Sequence, residues 1–175
     1  MEKVKIYFGA PLFSSMEQLF NDYVLNAIYS ELIEKGLMDK VDFYVPQDNA
    51  DINDKSSYAD SIMIAKADTE RLMETDILIA IMDGQVMDVG LASEIGVAYA
   101  NKKTSIIGFY SDVRQGHHNN QQKIDALNEV AESQFSYINL YTVGLVKLKG
   151  RMVTNIDDLV DAFIKEVENK LNGNN

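Results

Sequence analysis

Hydrophobic residues recur along the chain in two rhythms, short runs suited to a sheet and longer stretches with helical spacing. Val4-Lys5-Ile6-Tyr7-Phe8 is β-prone and stops at Gly9-Ala10-Pro11, where a glycine and a proline interrupt the strand. Ser14 or Ser15 then caps a helix in which Met16, Leu19, Phe20, Tyr23, Val24, Ala27, Ile28 and Leu32 fall at three-and-four spacing. That stripe is expected to pack on a sheet, and Gly36 closes the helix. Val41-Asp42-Phe43-Tyr44-Val45 reads as the second strand. A polar loop over 46–54 leads to a helix over about 57–74, with Ile62, Ala65, Leu72 and Met73 as its apolar side. Asp76-Ile77-Leu78-Ile79-Ala80-Ile81-Met82 is a near-continuous apolar run, the signature of a central parallel strand covered on both faces. Asp83-Gly84 turns the chain into a helix over about 90–101, and 104–109 supplies the next strand. A polar loop follows over 110–122, and the stretch 123–150 carries no clear period. Ile156, Leu159, Val160, Phe163, Ile164, Val167 and Leu171 mark a final amphipathic helix that Asn155 can cap. The alternation of strands and helices predicts an α/β fold with a parallel sheet and right-handed crossovers. Neither an internal repeat nor a low-complexity segment interrupts it.

Length and composition narrow the picture. A chain of 175 residues with 46% hydrophobic content can bury one core of ordinary size, so a single domain over 1–175 is expected. No run of eighteen apolar residues occurs, and Met1-Glu2-Lys3-Val4-Lys5 leads straight into a strand, so neither a membrane span nor a signal peptide is expected. Zero cysteines exclude disulfides, thiol catalysis and cysteine metal sites, and they fit the cytoplasm. A net charge of −11 with scattered Lys and Arg disfavours nucleic acid and anionic membranes as partners and leaves a neutral small molecule as the best fit.

In an open parallel sheet, ligands bind beyond the carboxyl ends of the strands. Those ends carry Tyr7 with Gly9-Ala10, then Asp48-Asn49, then the segment from Asp83 to Glu94, in which Asp88 and Glu94 stand six residues apart around Gly90. Glu94 lies in Gly90-Leu91-Ala92-Ser93-Glu94-Ile95-Gly96-Val97-Ala98, a first-turn position of a small, apolar helix. It can serve as a dipole partner of the helix N-terminus. It can also be a functional acid, since a partly buried carboxylate without a partner needs a reason to be there. Asp68 can be an exposed helix acid or a site group, and Tyr7 a core aromatic or a hydroxyl that orients a carboxylate. Paired carboxylates suit glycosidic chemistry, where one attacks the anomeric carbon and another manages the leaving group's proton. Other chemistries fail their tests. Gly9-Ala10-Pro11-Leu12-Phe13-Ser14 is neither a dinucleotide fingerprint nor a Walker loop, and no Gly-x-Ser-x-Gly elbow occurs. His117-His118 are adjacent and read as loop residues, not metal ligands.

Several collinear segments resemble nucleoside 2-deoxyribosyltransferases: Ile6-Tyr7-Phe8-Gly9-Ala10, Tyr44-Val45-Pro46-Gln47-Asp48-Asn49, and Asp88-Val89-Gly90-Leu91 leading to Glu94-Ile95-Gly96-Val97-Ala98. Asp68 keeps the family's place eight residues before Asp76, and Ile138-Asn139-Leu140 is similar to the later asparagine motif, so the resemblance runs over about 4–145. It implies a flavodoxin-like, doubly wound sheet of about five parallel strands flanked by helices. It also implies transfer of 2-deoxyribose between bases by a retaining double displacement, with Glu94 as nucleophile, Tyr7 orienting it, and Asp68 and Asp88 as the polar shell around sugar and base. Gly9, Ala10, Phe13, Asp48, Asn49, Gly90 and Tyr141 would line the substrate site, and the aromatic Phe8, Phe13 and Tyr141 can either exclude water from it or serve as core residues. Asn139 would meet the sugar's 5′ side in a neighbouring subunit, which implies a homo-oligomer, a dimer or a hexamer. Deoxynucleosides and free bases would be the partners, and no metal or organic cofactor is needed. Two departures stand out: Ala50 replaces the family's base-binding glutamine, and the long C-terminal helix follows where short members end on a carboxylate near the site. Two alternatives remain: a hydrolase of deoxynucleosides or their 5′-monophosphates, with Ser14 and Ser15 as phosphate ligands, and a non-catalytic nucleotide-sensing module, which would not need both Asp88 and Glu94.

Overall fold

The computed structural model describes residues 3–49, 58–115 and 119–173. Ala50, His117 and His118 lie outside the described residues, as does the start of the helix expected near residue 57. Five parallel strands form one sheet in the order β2-β1-β3-β4-β5. They are β1 (Val4–Gly9), β2 (Val41–Tyr44), β3 (Ile77–Ile81), β4 (Ser105–Phe109) and β5 (Gly150–Val153). The β3 strand is central, as its run of apolar residues predicts, and all five of its residues are buried. Strand order reverses between β1 and β3, which pair with Ile6 opposite Ile77 and Gly9 opposite Ala80. That reversal opens a crevice at the carboxyl ends of these two strands.

Six helices among the described residues flank the sheet: α1 (Ser15–Glu34), α2 (Ser61–Glu74), α3 (Val89–Ala100), α4 (Gln121–Asp125), α5 (Leu140–Lys149) and α6 (Ile156–Leu171). Helices α1 and α6 cover one face, and α2, α3 and α5 the other. The first face holds Ile6, Phe8, Ile28, Ile79, Phe109 and Phe163 in its core. The second holds Tyr7, Leu78, Leu91, Ile95 and Val146. Helix α1 starts with a reciprocal cap in which the Ser14 hydroxyl accepts from the Glu17 amide and the Glu17 carboxylate accepts from the Ser14 amide. It ends at Gly36, whose φ of +65° suits glycine. Asn155 caps α6 as expected. No helix among the described residues is long and apolar enough to cross a membrane.

The structure corrects two apolar stripes. On α1 the buried residues are Asn21, Val24, Leu25, Ile28 and Leu32, while Met16, Leu19 and Tyr23 face outward. On α2 only Leu72 is buried, and Ile62, Ala65 and Met73 are exposed. Both helices carry apolar residues on more than one side, so spacing alone does not select the face that meets the sheet. Within the stretch that carries no clear period the chain forms α5, and the edge strand β5 begins at its last residue, Gly150.

Candidate active site

Alternation along β1 sends Ile6 and Phe8 to the α1/α6 face and Tyr7 to the α2/α3 face, where its side chain is completely buried. There the Tyr7 hydroxyl donates to Oε1 of Glu94 at 2.7 Å. Glu94 rises from the second turn of α3, not the first, because the helix begins at Val89 and has no acid in its first turn. A role as dipole partner therefore loses its basis, since that interaction fades beyond the first turn. Oε2 of Glu94 makes no hydrogen bond among the described residues. It lies over Gly9, where an added Cβ would come within 2.9 Å of it and within 2.8 Å of Leu91 Cδ1. Glycine at the end of β1 is thus a condition for placing this carboxylate at the crevice.

Burial pushes the Glu94 carboxyl up to about 7. The Tyr7 hydrogen bond opposes that rise, while the negative charges of Asp68 and Asp88 add to it. Burial and then the Glu94 charge drive the Tyr7 phenol the same way, far above its ordinary value, so Tyr7 remains a neutral donor.

A second tyrosine stands beside the first. Tyr44 on β2 is the register partner of Tyr7, and the two ring centroids are 5.2 Å apart. The Tyr44 hydroxyl donates to Oδ1 of Asp68 on α2 at 3.0 Å and accepts from Nδ2 of Asn49 at 2.9 Å. The Arg71 guanidinium carbon sits 5.3 Å from the Tyr44 ring centroid. Burial raises the Asp68 carboxyl, and the Tyr44 bond pulls it back. Sequence reasoning missed Tyr44 and Arg71. Period-two alternation through Val41-Asp42-Phe43-Tyr44 and the three-residue step from Asp68 to Arg71 were the available signals.

Asp88 is the N-cap of α3, its Oδ1 accepting from the Leu91 amide at 2.8 Å, and an added Cβ at Gly90 would reach that oxygen at 3.0 Å. Asp48 and Asn49 line, with Tyr44 and Arg71, a cavity of about 680 Å³ at the β2 edge. The loops after β1 and β2 are clamped by buried Asn21, whose amide donates to the Pro11 carbonyl at 2.8 Å and to Gln47 Oε1 at 2.9 Å.

Other expected site residues fall elsewhere. The side chains of Phe8 and Ala10 pack on the opposite face of the sheet from Glu94, because strand alternation turns them away from Tyr7 and Gly9. Phe13 and Tyr141 are 87% and 76% exposed, so within one chain neither closes the site against water. Asn139 caps α5, its Oδ1 accepting from the Thr142 amide at 3.1 Å. It lines a separate cavity of about 680 Å³ with Val89, Ser93, Tyr137 and Tyr141, on the far side of α3 from the Tyr7 pair.

Among the described residues, the site thus brings together Tyr7, Glu94, Tyr44, Asp68 and Asp88 around the β1/β3 crevice, with no group of three or more acids and histidines placed to hold a metal. The nucleoside 2-deoxyribosyltransferase family model matches residues 6–128, a span that includes all five of these residues and stops short of Asn139. The crystal structure of a conserved protein from Enterococcus faecalis V583 is 50% identical, with a TM-score of 0.83 over 93% of this chain and 98% of that one. Two enzymes share the fold at low identity. The 2-deoxyribosyltransferase of Bacillus psychrosaccharolyticus is 19% identical with a TM-score of 0.57, covering 90% of each chain. That of Leishmania mexicana is 18% identical with a TM-score of 0.59, covering 94% of this chain and 97% of its own. No curated protein sequence matches significantly. On the family match over most of its length, joined to a five-stranded parallel sheet shared with these enzymes, the chain belongs to the nucleoside 2-deoxyribosyltransferase family.

Proposed function

We propose that the chain is a cytoplasmic transferase that moves 2-deoxyribose between purine or pyrimidine bases through a covalent deoxyribosyl-Glu94 intermediate. The observation that carries this reading is the Tyr7 to Glu94 pair, which holds one carboxylate oxygen and leaves the other unbonded over Gly9. Oε2 of Glu94 attacks the anomeric carbon while the bond to the base breaks and its electron pair stays on the base. Asp68 gives the departing base a proton, and a second base returns that proton as it attacks, so two inversions restore the starting configuration. Asp88 adds negative charge beside the oxocarbenium-like transition state while it caps α3.

The rival reading, hydrolysis of a 5′-monophosphate, needs a phosphate site near Ser14 and Ser15. The Ser14 hydroxyl is occupied by its cap, and the Glu17 carboxylate bound to the Ser14 amide would repel a phosphate there. This favours a free 5′-hydroxyl. A homo-oligomer completes the proposal: Val86, Val89, Tyr137, Leu140 and Tyr141 are exposed around the Asn139 cavity, an apolar patch suited to a second copy that brings Asn139 toward the neighbouring site. Incubation with deoxyinosine, with and without adenine, tests the activity. Acceptor base should divert most of the sugar into deoxyadenosine. If free deoxyribose stays the main product at millimolar adenine, and other bases fare no better, the hydrolase reading replaces this one.

A further inference from the structure

Tyr44 has no part in the mechanism above, yet its surroundings repeat those of Tyr7. Tyr7 and Tyr44 stand in register on adjacent strands, and each donates its hydroxyl proton to a carboxylate on a neighbouring helix. The Tyr44 hydroxyl also receives a hydrogen bond from the Asn49 amide nitrogen. An amide nitrogen can only donate, and a phenol has one proton, so the sequence Asn49 to Tyr44 to Asp68 runs in one direction and delivers that proton to Oδ1. Any proton that Asp68 itself carries therefore resides on Oδ2, which makes no hydrogen bond among the described residues. Arg71, on the same helix as Asp68, covers the Tyr44 ring. Its positive charge holds the ring in place and strengthens the phenol as a donor.

We propose that Tyr44 is the positioning residue of the acid and base group: by holding Oδ1 of Asp68 it reserves Oδ2 for the proton exchanged with the departing and arriving bases. The inference rests on the nucleoside-cleaving reading of the site. As the bond from sugar to base breaks, Glu94 Oε2 bonds the anomeric carbon, the bond's electron pair goes to the base, and the proton on Asp68 Oδ2 follows it. Asp68 is left as a carboxylate, and the hydrogen bond from Tyr44 stabilises the new charge. Attack by the second base runs these movements in reverse. The groups that set the balance around Asp68 are Tyr44 from β2, Arg71 from α2, Tyr7 from β1, and Glu94 from α3 with the capping Asp88 beyond it. Sheet register thus gives each carboxylate one bonded and one working oxygen, the nucleophile on β1's side and the proton carrier on β2's.

Tyr44→Phe keeps the ring and removes only the hydroxyl. In protein carrying ¹³C-labelled aspartate carboxyls, with the Asp68 signal assigned by its loss in Asp68→Asn, the Asp68 midpoint should rise in Tyr44→Phe, because the bond that lowers it is gone. Turnover measured on a series of deoxynucleosides should fall by about 10- to 100-fold, most for bases that leave poorly, with KM changed by less than about threefold. An unchanged Asp68 midpoint, or an equal loss on every donor, overturns the proposal. Failure of the underlying reading looks different: wild-type protein would cleave no deoxynucleoside, while the carboxyl titration would still report on the Tyr44 to Asp68 bond.

Discussion

The two faces of the sheet are built from the same strands but to different ends. Under α1 and α6, β1 contributes Ile6 and Phe8 to an apolar cluster. Under α2, α3 and α5 the same strand contributes Tyr7, which donates to a carboxylate. One residue's step along β1 separates packing from chemistry. The face that holds Glu94 tolerates a half-buried acid whose charge is disfavoured there. Under the proposed function, stability and reactivity in this fold are separable by side of the sheet, because strand alternation lets each side be composed independently.

Substitutions on the two faces should therefore fail in different assays. Glu94→Ala should lower transfer by at least about three orders of magnitude, as for other lost nucleophiles, with an unchanged circular dichroism spectrum. Near-normal turnover by a folded variant would remove Glu94 from the mechanism. Phe163→Ala, in the apolar face, should destabilise the protein by about 3–5 kcal/mol in urea unfolding. Activity per folded molecule should stay the same, and a loss beyond the unfolded fraction would break the separation of the faces. Glu94→Gln sharpens the contrast further. The folded-state value of Glu94 lies near 7, above its ordinary 4.5, so the folded protein binds the extra proton between those values. Its contribution is present below about 4.5 and lost as pH rises through about 7. The glutamine variant should thus equal wild type near pH 4 and exceed it by about 1–3 kcal/mol near pH 8, in proportion to the raised value. Equal melting temperatures at both pH values would mean that the acid is not strained by its surroundings. The smallest effect belongs to Ser14→Ala, which removes the α1 cap. It should cost about 1 kcal/mol of stability and leave transfer unchanged.

What the sequence made legible follows the same division. The strands β1, β3 and β4 and the helix α6 announce themselves by long, consistent patterns, and Glu94 stands out because a charged residue interrupts an apolar helix. The face of α1 was not legible, since Met16, Leu19 and Tyr23 are as apolar as Val24, Ile28 and Leu32 and only the sheet's position distinguishes them. The β5 strand escaped notice because Gly150 and Arg151 are exposed on an edge and Val153 alone is buried. Ala10 and Phe8 fall in the motif next to Tyr7 and Gly9, yet a one-residue offset in a strand turns them to the other face. Tyr44 and Arg71 required cross-strand register and helix phase, which are relations between elements and not properties of either segment alone.

The central claim is that Glu94, held by Tyr7 at one oxygen, forms a bond to the sugar with the other. Protein mixed with excess deoxyinosine, quenched in acid within a fraction of a turnover, then digested and analysed by mass spectrometry, tests it directly. The account predicts a 2-deoxyribosyl adduct on the peptide that contains Glu94, discharged when adenine is added before the quench. An adduct on a different residue, or base exchange proceeding at full rate with the Glu94 peptide never modified, would contradict it.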